Sequence, residues 1–337
     1  MSAHRFSAVS LALVGILFAE LPAGNAPQVL AGSIEPVGIF EALVWLDYQA
    51  GQVRSAKGDF RVTYQPTSPE ELQRLQAFCR QRGYEHRASG YYLSSRQAAR
   101  RSYHSHWWRD GAREREEKTY IARPAIVETT VFDGQVVRTF DATPGRARVY
   151  LASPATHWNR RSRIEPFAFA LEYRSLPHEE ILRSAPERSV TRRLEGDRER
   201  WEVTARHDGD DRLVLRLIYD DRWRLLTREV ILTKSSTFLQ LDDERPAVYS
   251  RLELSDLRPY ADGRGGQIWF PAKALLRYFV GTLPDGTPVQ SQAIAVDLGS
   301  LEFNVDVPAD RFELKVPEGV PRVDQRQSDY AVIGVSY

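Results

Sequence analysis

Cysteine is almost absent from this sequence, which contains only Cys79. A single cysteine excludes an internal disulfide, and it excludes a zinc site built from several thiolates. A lipidated N-terminal cysteine is not expected either, because the sequence contains no Leu-x-x-Cys pattern. The fold must therefore be stabilised by burial of apolar surface.

An excess of either charge is also lacking, since Lys+Arg 46 balance Asp+Glu 45 and give a formal net charge of +1. Such a chain has no overall field that would select nucleic acid or an acidic membrane, so no nucleic-acid partner is predicted. Lysine is scarce and nearly all basic residues are arginine. We interpret this bias as genomic composition, with a phosphate-binding surface as the alternative.

Long apolar runs are missing, apart from the run of residues 9–19 near the N-terminus. This run is too short to span a bilayer comfortably, and His4 and Arg5 precede it while small residues follow it. The pattern is typical of a cleavable secretory signal, and we assign it to residues 1–31. The mature protein is expected in a periplasm or beyond, as a soluble protein and not as an integral membrane protein.

Motifs that carry chemistry are few. No Gly-x-Ser-x-Gly nucleophile elbow occurs. The pair His104-x-His106 places two imidazoles on one face of a strand, but no third metal ligand is signalled, so both are predicted to face solvent. Cys79 lies in an amphipathic helical pattern and is predicted to be buried packing. We therefore predict no enzyme, no catalytic residue, no metal site and no cofactor.

The sequence is rich in strand patterns, above all between residues 100 and 151. Five strand-like runs follow one another there, and turn signals separate them at Asp110-Gly111, Asp133-Gly134 and Pro144-Gly145. Asp-Gly between β-rich runs suits a type I′ hairpin turn, which pairs neighbouring strands in antiparallel fashion. The second run, at residues 113–118, carries charges of both signs and is predicted to be an exposed edge or outer strand.

Helices are predicted at three places. The first runs from Pro36 to Gly51, and its apolar stripe is expected to lie against apolar surface. The centre of that stripe consists of Val37, Phe40, Val44 and Tyr48, and Leu43, Trp45 and Leu46 widen it. The second begins with a capping box at Ser68 and forms a helical insertion at about residues 66–90. The third is a short helix within residues 175–185.

Strand patterns return after the five runs of residues 100–151. Phe167, Phe169, Leu171 and Tyr173 alternate, which favours a strand, and further strands follow from Arg200 to Leu298. The C-terminal segment from Phe303 is expected to lie over an edge. With about ten to twelve strands, an antiparallel sheet usually curls or closes. We predict a mainly β fold in which one large curved antiparallel sheet has the N-terminal helix and an internal helix on its concave side, with residues 32–337 forming a single domain.

Aromatic side chains are the strongest pointer to function. They either fill the core of the sheet or line a slot for an apolar ligand. The candidate lining residues are Trp45, Phe60, Trp107, Phe132, Phe167, Phe169, Trp201, Trp223 and Trp269. Neighbours on a strand face opposite sides, so one of Trp107 and Trp108 must lie on the outer face or at a rim.

The order of these elements resembles that of the LolA-type periplasmic lipoprotein-carrier superfamily. The resemblance rests on the signal, the first helix, the strand of residues 58–64, the hairpins around an internal helix, and the Phe-x-Val-x-Val-Pro ending at residues 303–308. Residues 130–135 are similar to a Phe-Asp-Gly hairpin of exported members. The resemblance implies an unclosed β-barrel whose helices cap an apolar cavity for acyl chains. This chain is much longer than the dedicated carriers, and none of their lid residues aligns with it.

Three functions remain open. The leading hypothesis is an exported, non-enzymatic protein that binds a lipid or an acylated protein. The alternative is an interaction or structural protein of the cell envelope with a filled core and no ligand, which contacts an envelope protein through an outer patch near Trp108. The third is an exported hydrolase of lipid or glycan, and it rests only on scattered carboxylates and on His104 and His106.

Overall fold

A computed structural model describes residues 36–83, 85, 88–153, 164–173, 176–206, 213–234 and 246–326. The predicted signal peptide, residues 1–31, lies outside the described residues, so that prediction stays open.

Most of the described chain forms β-strands. The strands are β1 Ser55–Gln65, β2 Tyr103–Asp110, β3 Arg113–Tyr120, β4 Val127–Phe132, β5 Val137–Asp141, β6 Arg148–Ala152, β7 Glu172–Tyr173, β8 Leu176–Pro177, β9 Arg188–Glu195, β10 Arg198–Arg206, β11 Leu213–Tyr219, β12 Leu225–Leu232, β13 Ala247–Asp262, β14 Gly266–Thr282, β15 Pro288–Phe303 and β16 Arg322–Asp324. Strands β7 and β8 pair only with each other, and the others form one 14-stranded sheet.

The described helices are fewer and mostly short. They are α1 Pro36–Gln52, α2 Pro69–Gln81, α3 Ala88–Tyr91, α4 Ser95–Arg101, α5 Pro166–Ala170 and α6 His178–Ser184, with a 3-10 helix at Ala309–Phe312.

The sheet runs in the order β16-β6-β5-β4-β3-β2-β1-β15-β14-β13-β12-β11-β10-β9. Successive strands pair in antiparallel fashion, and β1 lies between β2 and β15 and so joins the two series of hairpins. Only the β6–β16 pair and a short contact of β13 with β15 are parallel. Since β16 and β9 end the order, the sheet is not closed into a barrel. The predicted mainly β, unclosed fold is confirmed.

We call inner the face of the sheet that carries Phe60, Trp107 and Leu217, because these side chains belong to the largest buried cluster. Helix α5 contacts β13 and β14, while α1 contacts β9 and α6. The predicted turns of the meander also form, since Gly111 and Gly134 take positive φ angles of 55° and 99°. Positive φ is the conformation for which glycine is needed at these turns.

The helical insertion is longer than the sequence indicated. Helix α2 begins at the predicted capping box, where the Ser68 hydroxyl accepts from the Glu71 N–H at 3.2 Å and the Glu71 carboxylate accepts from the Ser68 N–H at 2.8 Å. Helices α3 and α4 then extend the insertion to Arg101. A second capping box, Ser94 with Gln97, begins α4. Cys79 is buried against the same small cluster as Val280, as predicted.

Helix α1 turns a different side to the protein from the one predicted. Gly38, Ala42 and Leu46 are buried, whereas Phe40, Val44, Trp45 and Tyr48 are 60%, 48%, 43% and 57% exposed. The centre of the predicted stripe is therefore wrong, and of the residues predicted to widen it only Leu46 is buried, with Leu43 half-buried. Small side chains allow close approach, and a Cβ at Gly38 would lie only 3.4 Å from Val190. Because this helix is apolar on several sides, periodicity alone could not select the buried side.

Strand β3 is not an edge strand, which corrects the prediction for residues 113–118. It lies between β2 and β4, and its eight residues are all half-buried. The charges compensate one another, since Lys118 pairs with Glu116 at 3.1 Å and lies 3.8 Å from Glu128. Paired charges are what allow a charged strand to occupy the middle of a sheet.

Two other predictions fail in detail. Phe167 and Phe169 lie on helix α5 and not on a strand. A helix starts there because Pro166 suits the first turn and Glu165 caps it. The C-terminal segment first covers the outer face of β2 to β4, with Val307 and Phe312 against Val131, and only then reaches the predicted edge, where β16 pairs with β6. Trp108 is half-buried beneath this segment, and a contact patch near it stays a prediction.

Candidate ligand site between the internal helix and the sheet

Most of the predicted aromatic residues belong to the main buried core. Phe60, Trp107, Phe167, Phe169 and Trp223 belong to the main buried cluster, and the half-buried Trp201 packs against it. The other three lie elsewhere. Phe132 is buried in a separate small cluster with Val137, whereas Trp45 and Trp269 are 43% and 55% exposed. That any of these residues lines a ligand site stays a prediction.

Phe167 connects helix α5 to the sheet. Its ring contacts Trp107 of β2 edge to face, with 5.2 Å between the ring centroids. It also stacks with the ring of Phe303 of β15, with 6.4 Å between the centroids. Phe270 of β14 lies 5.3 Å from Phe303. Edge-to-face and offset rings at these distances attract beyond their buried area. Helix α5 is thus placed over the centre of the inner face by aromatic contacts.

A second aromatic group lies at the turn between β11 and β12. Trp223 stacks on Trp201 with centroids 4.9 Å apart and lies 5.7 Å from Tyr219. Its backbone has a positive φ of 58°, and the carboxylate of Asp220 accepts from the N–H groups of Arg222 and Arg224 around it. The tight turn therefore directs a large indole into the core.

Helix α5 has no polar side. All five of its residues, which read Pro-Phe-Ala-Phe-Ala, are buried. Its free N–H groups are satisfied by the buried carboxylate of Glu165, which accepts from Phe167 at 2.8 Å and from Ala168 at 2.9 Å. A carboxylate at this end also compensates the partial positive charge of the N–H groups.

Arg109 of β2 forms a two-pronged ion pair with Glu172, just beyond α5. Nη1 donates to Oε2 at 3.1 Å, Nη2 donates to Oε1, and the two side chains are 16% and 8% exposed. Burial acts to lower the pKa of Arg109, but the hydrogen bond and the charge of Glu172 outweigh burial and raise it. The guanidinium also lies 4.5 Å from the centre of the Phe167 ring. This pair ties the segment after α5 to β2.

Arg228 of β12 holds the same segment from the other side. Its Nη1 donates to the backbone oxygens of Ala168 at 2.5 Å and of Glu172 at 2.7 Å. The guanidinium lies 5.2 Å from the centre of the Tyr173 ring. Burial lowers the pKa of Arg228.

His178 completes this polar group. Its Nδ1 atom lies 3.1 Å from the Tyr219 hydroxyl, and both residues are buried. The pKa of His178 is lowered to about 3, first by burial and second by the charge of Arg228. The imidazole is therefore neutral at pH 7. Burial raises the pKa of Tyr219, whose phenol stays protonated.

Sequence reasoning missed the charged residues of this site. The missed residues are Arg109, Glu165, Glu172 and Arg228. A signal existed for Arg228. In the pairing of β11 with β12 it lies opposite Leu217, so it interrupts an otherwise apolar row of side chains on the inner face. Glu172 and Glu165 flank a helix that the sequence did not predict, so their roles could not be recognised.

The two histidines of the weakest hypothesis lie apart from this site. His104 and His106 are exposed on β2, and His106 pairs through Nδ1 with Asp59. Ser300 donates to the same carboxylate at 2.8 Å. The carboxylate thus stands between the hydroxyl and the imidazole, which is not the order of a nucleophile and its base. Among the described residues no three His, Cys, Asp or Glu side chains come together as a metal site.

Within the described part of the chain, no helix has the length and apolar character needed to cross a membrane.

Comparison with known proteins gives similarities of fold. No family model matches the chain, and no curated protein matches it. One similar solved structure is a DUF1329 family protein from Desulfovibrio piger ATCC 29098, with a TM-score of 0.44 and 13% identity over 84% of this chain and 98% of that one. A lipoprotein-sorting domain is also found. It is a putative outer membrane lipoprotein-sorting protein domain from Vibrio parahaemolyticus, with a TM-score of 0.45 and 7% identity over 81% of this chain and 97% of that one.

Proposed function

We propose that the protein is an exported, non-enzymatic carrier that holds the acyl chain of a lipid or of a lipidated protein between helix α5 and the inner face of the sheet. One observation carries the proposal. Helix α5 is wholly apolar and buried, yet among the described residues it makes no backbone-to-backbone hydrogen bond with the large sheet. Side chains of Arg109 and Arg228 hold its end instead.

This mode of attachment allows the helix to act as a lid. Backbone pairing within the sheet need not break when α5 moves, because only side-chain bonds and aromatic contacts are lost. An acyl chain can then replace Phe167 and Phe169 against the inner face. Burial stabilises such a chain by about 0.8 kcal/mol per methylene group, so no catalytic group is needed for retention.

Mass spectrometry of the protein purified from its native envelope tests the proposal directly. The protein is weighed intact under native conditions, and its organic extract is analysed separately. We expect stoichiometric lipid in both measurements. A protein without lipid that also fails to bind an added acyl probe would contradict the carrier function.

A matched pair of variants locates the binding region. Phe167→Asp places a charge on the inner side of α5, whereas Trp269→Asp places one at an exposed aromatic residue. We expect Phe167→Asp to abolish retention of an acyl probe and Trp269→Asp to leave it within about twofold, provided that circular dichroism shows both variants folded. Equal retention by both variants would remove α5 from the binding region.

The second candidate function is that of an envelope protein with a filled core. The short ring distances around Trp107 and Trp223 favour it, because rings already in contact leave no space at those two points. It predicts that neither native lipid nor an added acyl probe is ever found with the protein.

A further inference from the structure

Arg228 differs from Arg109 in its partners. Arg109 forms a two-pronged bond with a carboxylate, whereas Arg228 uses only Nη1 and bonds only to backbone oxygens. Among the described residues, Nε and Nη2 of Arg228 donate no hydrogen bond and no carboxylate lies at ion-pair distance. Arg228 is half-buried, and its guanidinium thus keeps one edge of N–H groups available to a ligand.

His178 offers a further unused donor close by. Its Nε2 atom is buried and makes no hydrogen bond of ordinary geometry, although the stronger effect of burial, which lowers the pKa of His178, is opposed by a backbone contact with Glu172 that acts to raise it. The described partner of the Tyr219 hydroxyl is Nδ1 of His178, and a hydroxyl that donates to Nδ1 leaves the imidazole proton on Nε2. The charge of Arg228 acts on both His178 and Tyr219, which places all three in one group. A buried donor without an acceptor costs free energy, so the arrangement is suited to a group that supplies acceptors.

We propose that Arg228 and His178 bind the oxyanion of an anionic amphiphile, whose acyl chain lies along the aromatic residues beneath α5. The inference rests on the proposed carrier function and names its ligand class. A carboxylate or a phosphate matches the planar edge of a guanidinium and accepts two parallel hydrogen bonds. The same ligand brings a negative charge next to the two backbone oxygens that hold Arg228, and it competes with them for the guanidinium.

Matched ligands of one chain length separate the headgroup from the tail. Dodecanoate and dodecan-1-ol share the same chain, and titration at pH 7.5 by tryptophan fluorescence gives both dissociation constants. Charge-assisted hydrogen bonds from the half-buried Arg228 guanidinium predict that dodecanoate binds at least about tenfold more tightly. Dodecyl phosphate is expected to behave like dodecanoate.

Variants assign the preference to the named residues. The preference is the dissociation constant of dodecan-1-ol divided by that of dodecanoate. Arg228→Gln keeps an amide donor for the backbone oxygens but removes the charge. It should reduce the preference to about one without weakening the binding of dodecan-1-ol by more than about twofold. His178→Leu should lower the preference and His178→Gln should retain it. Arg277→Gln removes an arginine that pairs with Glu253 and should keep the full preference. Thermal unfolding establishes that each variant is folded.

The outcomes distinguish this inference from the carrier function. Equal binding of dodecanoate and dodecan-1-ol, or an undiminished preference in folded Arg228→Gln, overturns the headgroup site and leaves the carrier function standing. Binding of neither ligand overturns both. Sodium acetate or inorganic phosphate that binds as tightly as dodecanoate would show a site for free anions and would overturn the assignment to an amphiphile.

Discussion

Arg109 and Glu172 form a buried two-pronged ion pair between strand β2 and the segment that follows helix α5. The pair lies against Phe167, and Arg228 holds the same segment from β12. An apolar helix is thus anchored by charged side chains that reach it from two distant strands. This relationship accounts for how α5 is placed over the aromatic inner face, and it leads to the first prediction below.

Glu172→Gln should lower the free energy of unfolding by about 3 kcal/mol, because it leaves the Arg109 charge buried without its partner. Denaturant unfolding measures this change. Glu179→Gln is the control, since its partner Arg183 is 64% exposed and the surface pair should contribute less than about 1 kcal/mol. Similar losses of unfolding free energy in the two variants would show that the buried pair stabilises the fold no more than the surface pair.

Stability should fall as the pH is lowered from about 6.5 towards about 3. The pKa of His178 is depressed to about 3 in the folded protein, so the unfolded chain binds one more proton in this interval. The contribution of His178 is complete above pH 6.5 and decreases by up to about 1.4 kcal/mol per pH unit below it. Unfolding in urea at several pH values measures the slope. His178→Gln should reduce that slope between pH 6 and 4, and an unchanged slope would assign it to other groups.

Gly58→Ala should destabilise the protein by about 1 to 3 kcal/mol. Gly58 lies opposite Trp107 in the sheet, and a Cβ there would stand 2.3 Å from the backbone oxygen of Ser300. A backbone atom at that distance must move. The matched control is Gly266→Ala, where a Cβ meets nothing within 4 Å. We expect thermal unfolding to separate the two variants clearly, and a harmless Gly58→Ala would mean that β1 and β15 adjust freely.

Ser68→Ala should cost about 1 kcal/mol, because the capping box at the start of α2 loses its side-chain acceptor. Ser95→Ala changes an exposed serine that does not cap its helix and should stay within about 0.5 kcal/mol. Chemical denaturation gives both values. Equal effects would indicate that α2 is held by its contacts with β14 and β15 and not by its cap.

Much of the fold followed from local patterns. The Asp-Gly turns predicted the hairpins β2–β3 and β4–β5, Pro144-Gly145 predicted β5–β6, and the capping box predicted the start of α2, because these features are decided by residues adjacent in the chain. Short stretches were less predictable. Over so few positions, residues 166–170 are compatible with the periodicity of a helix and with that of a strand. The cap at Glu165 is what distinguishes the helix.

The candidate site was predictable only in its aromatic part. Large rings in alternating strands were expected to gather on one face, and Trp107, Phe167 and Trp223 do belong to one buried cluster. The position of β1 between β2 and β15 could not be read from any local pattern. Without that pairing, nothing in the sequence relates Arg109 to Arg228.

The sequence by itself determined the mainly β character, the hairpin connections and the capped helix, since alternation, turn residues and caps act over a few neighbouring positions. The tertiary structure alone decided which side of α1 is buried, that charged β3 lies inside the sheet, and that Arg109 and Arg228 meet at the C-terminal end of one apolar helix. These outcomes depend on contacts between residues far apart in the chain. Burial there is set by the shape and charge of the partner, and the local pattern of the sequence does not record it.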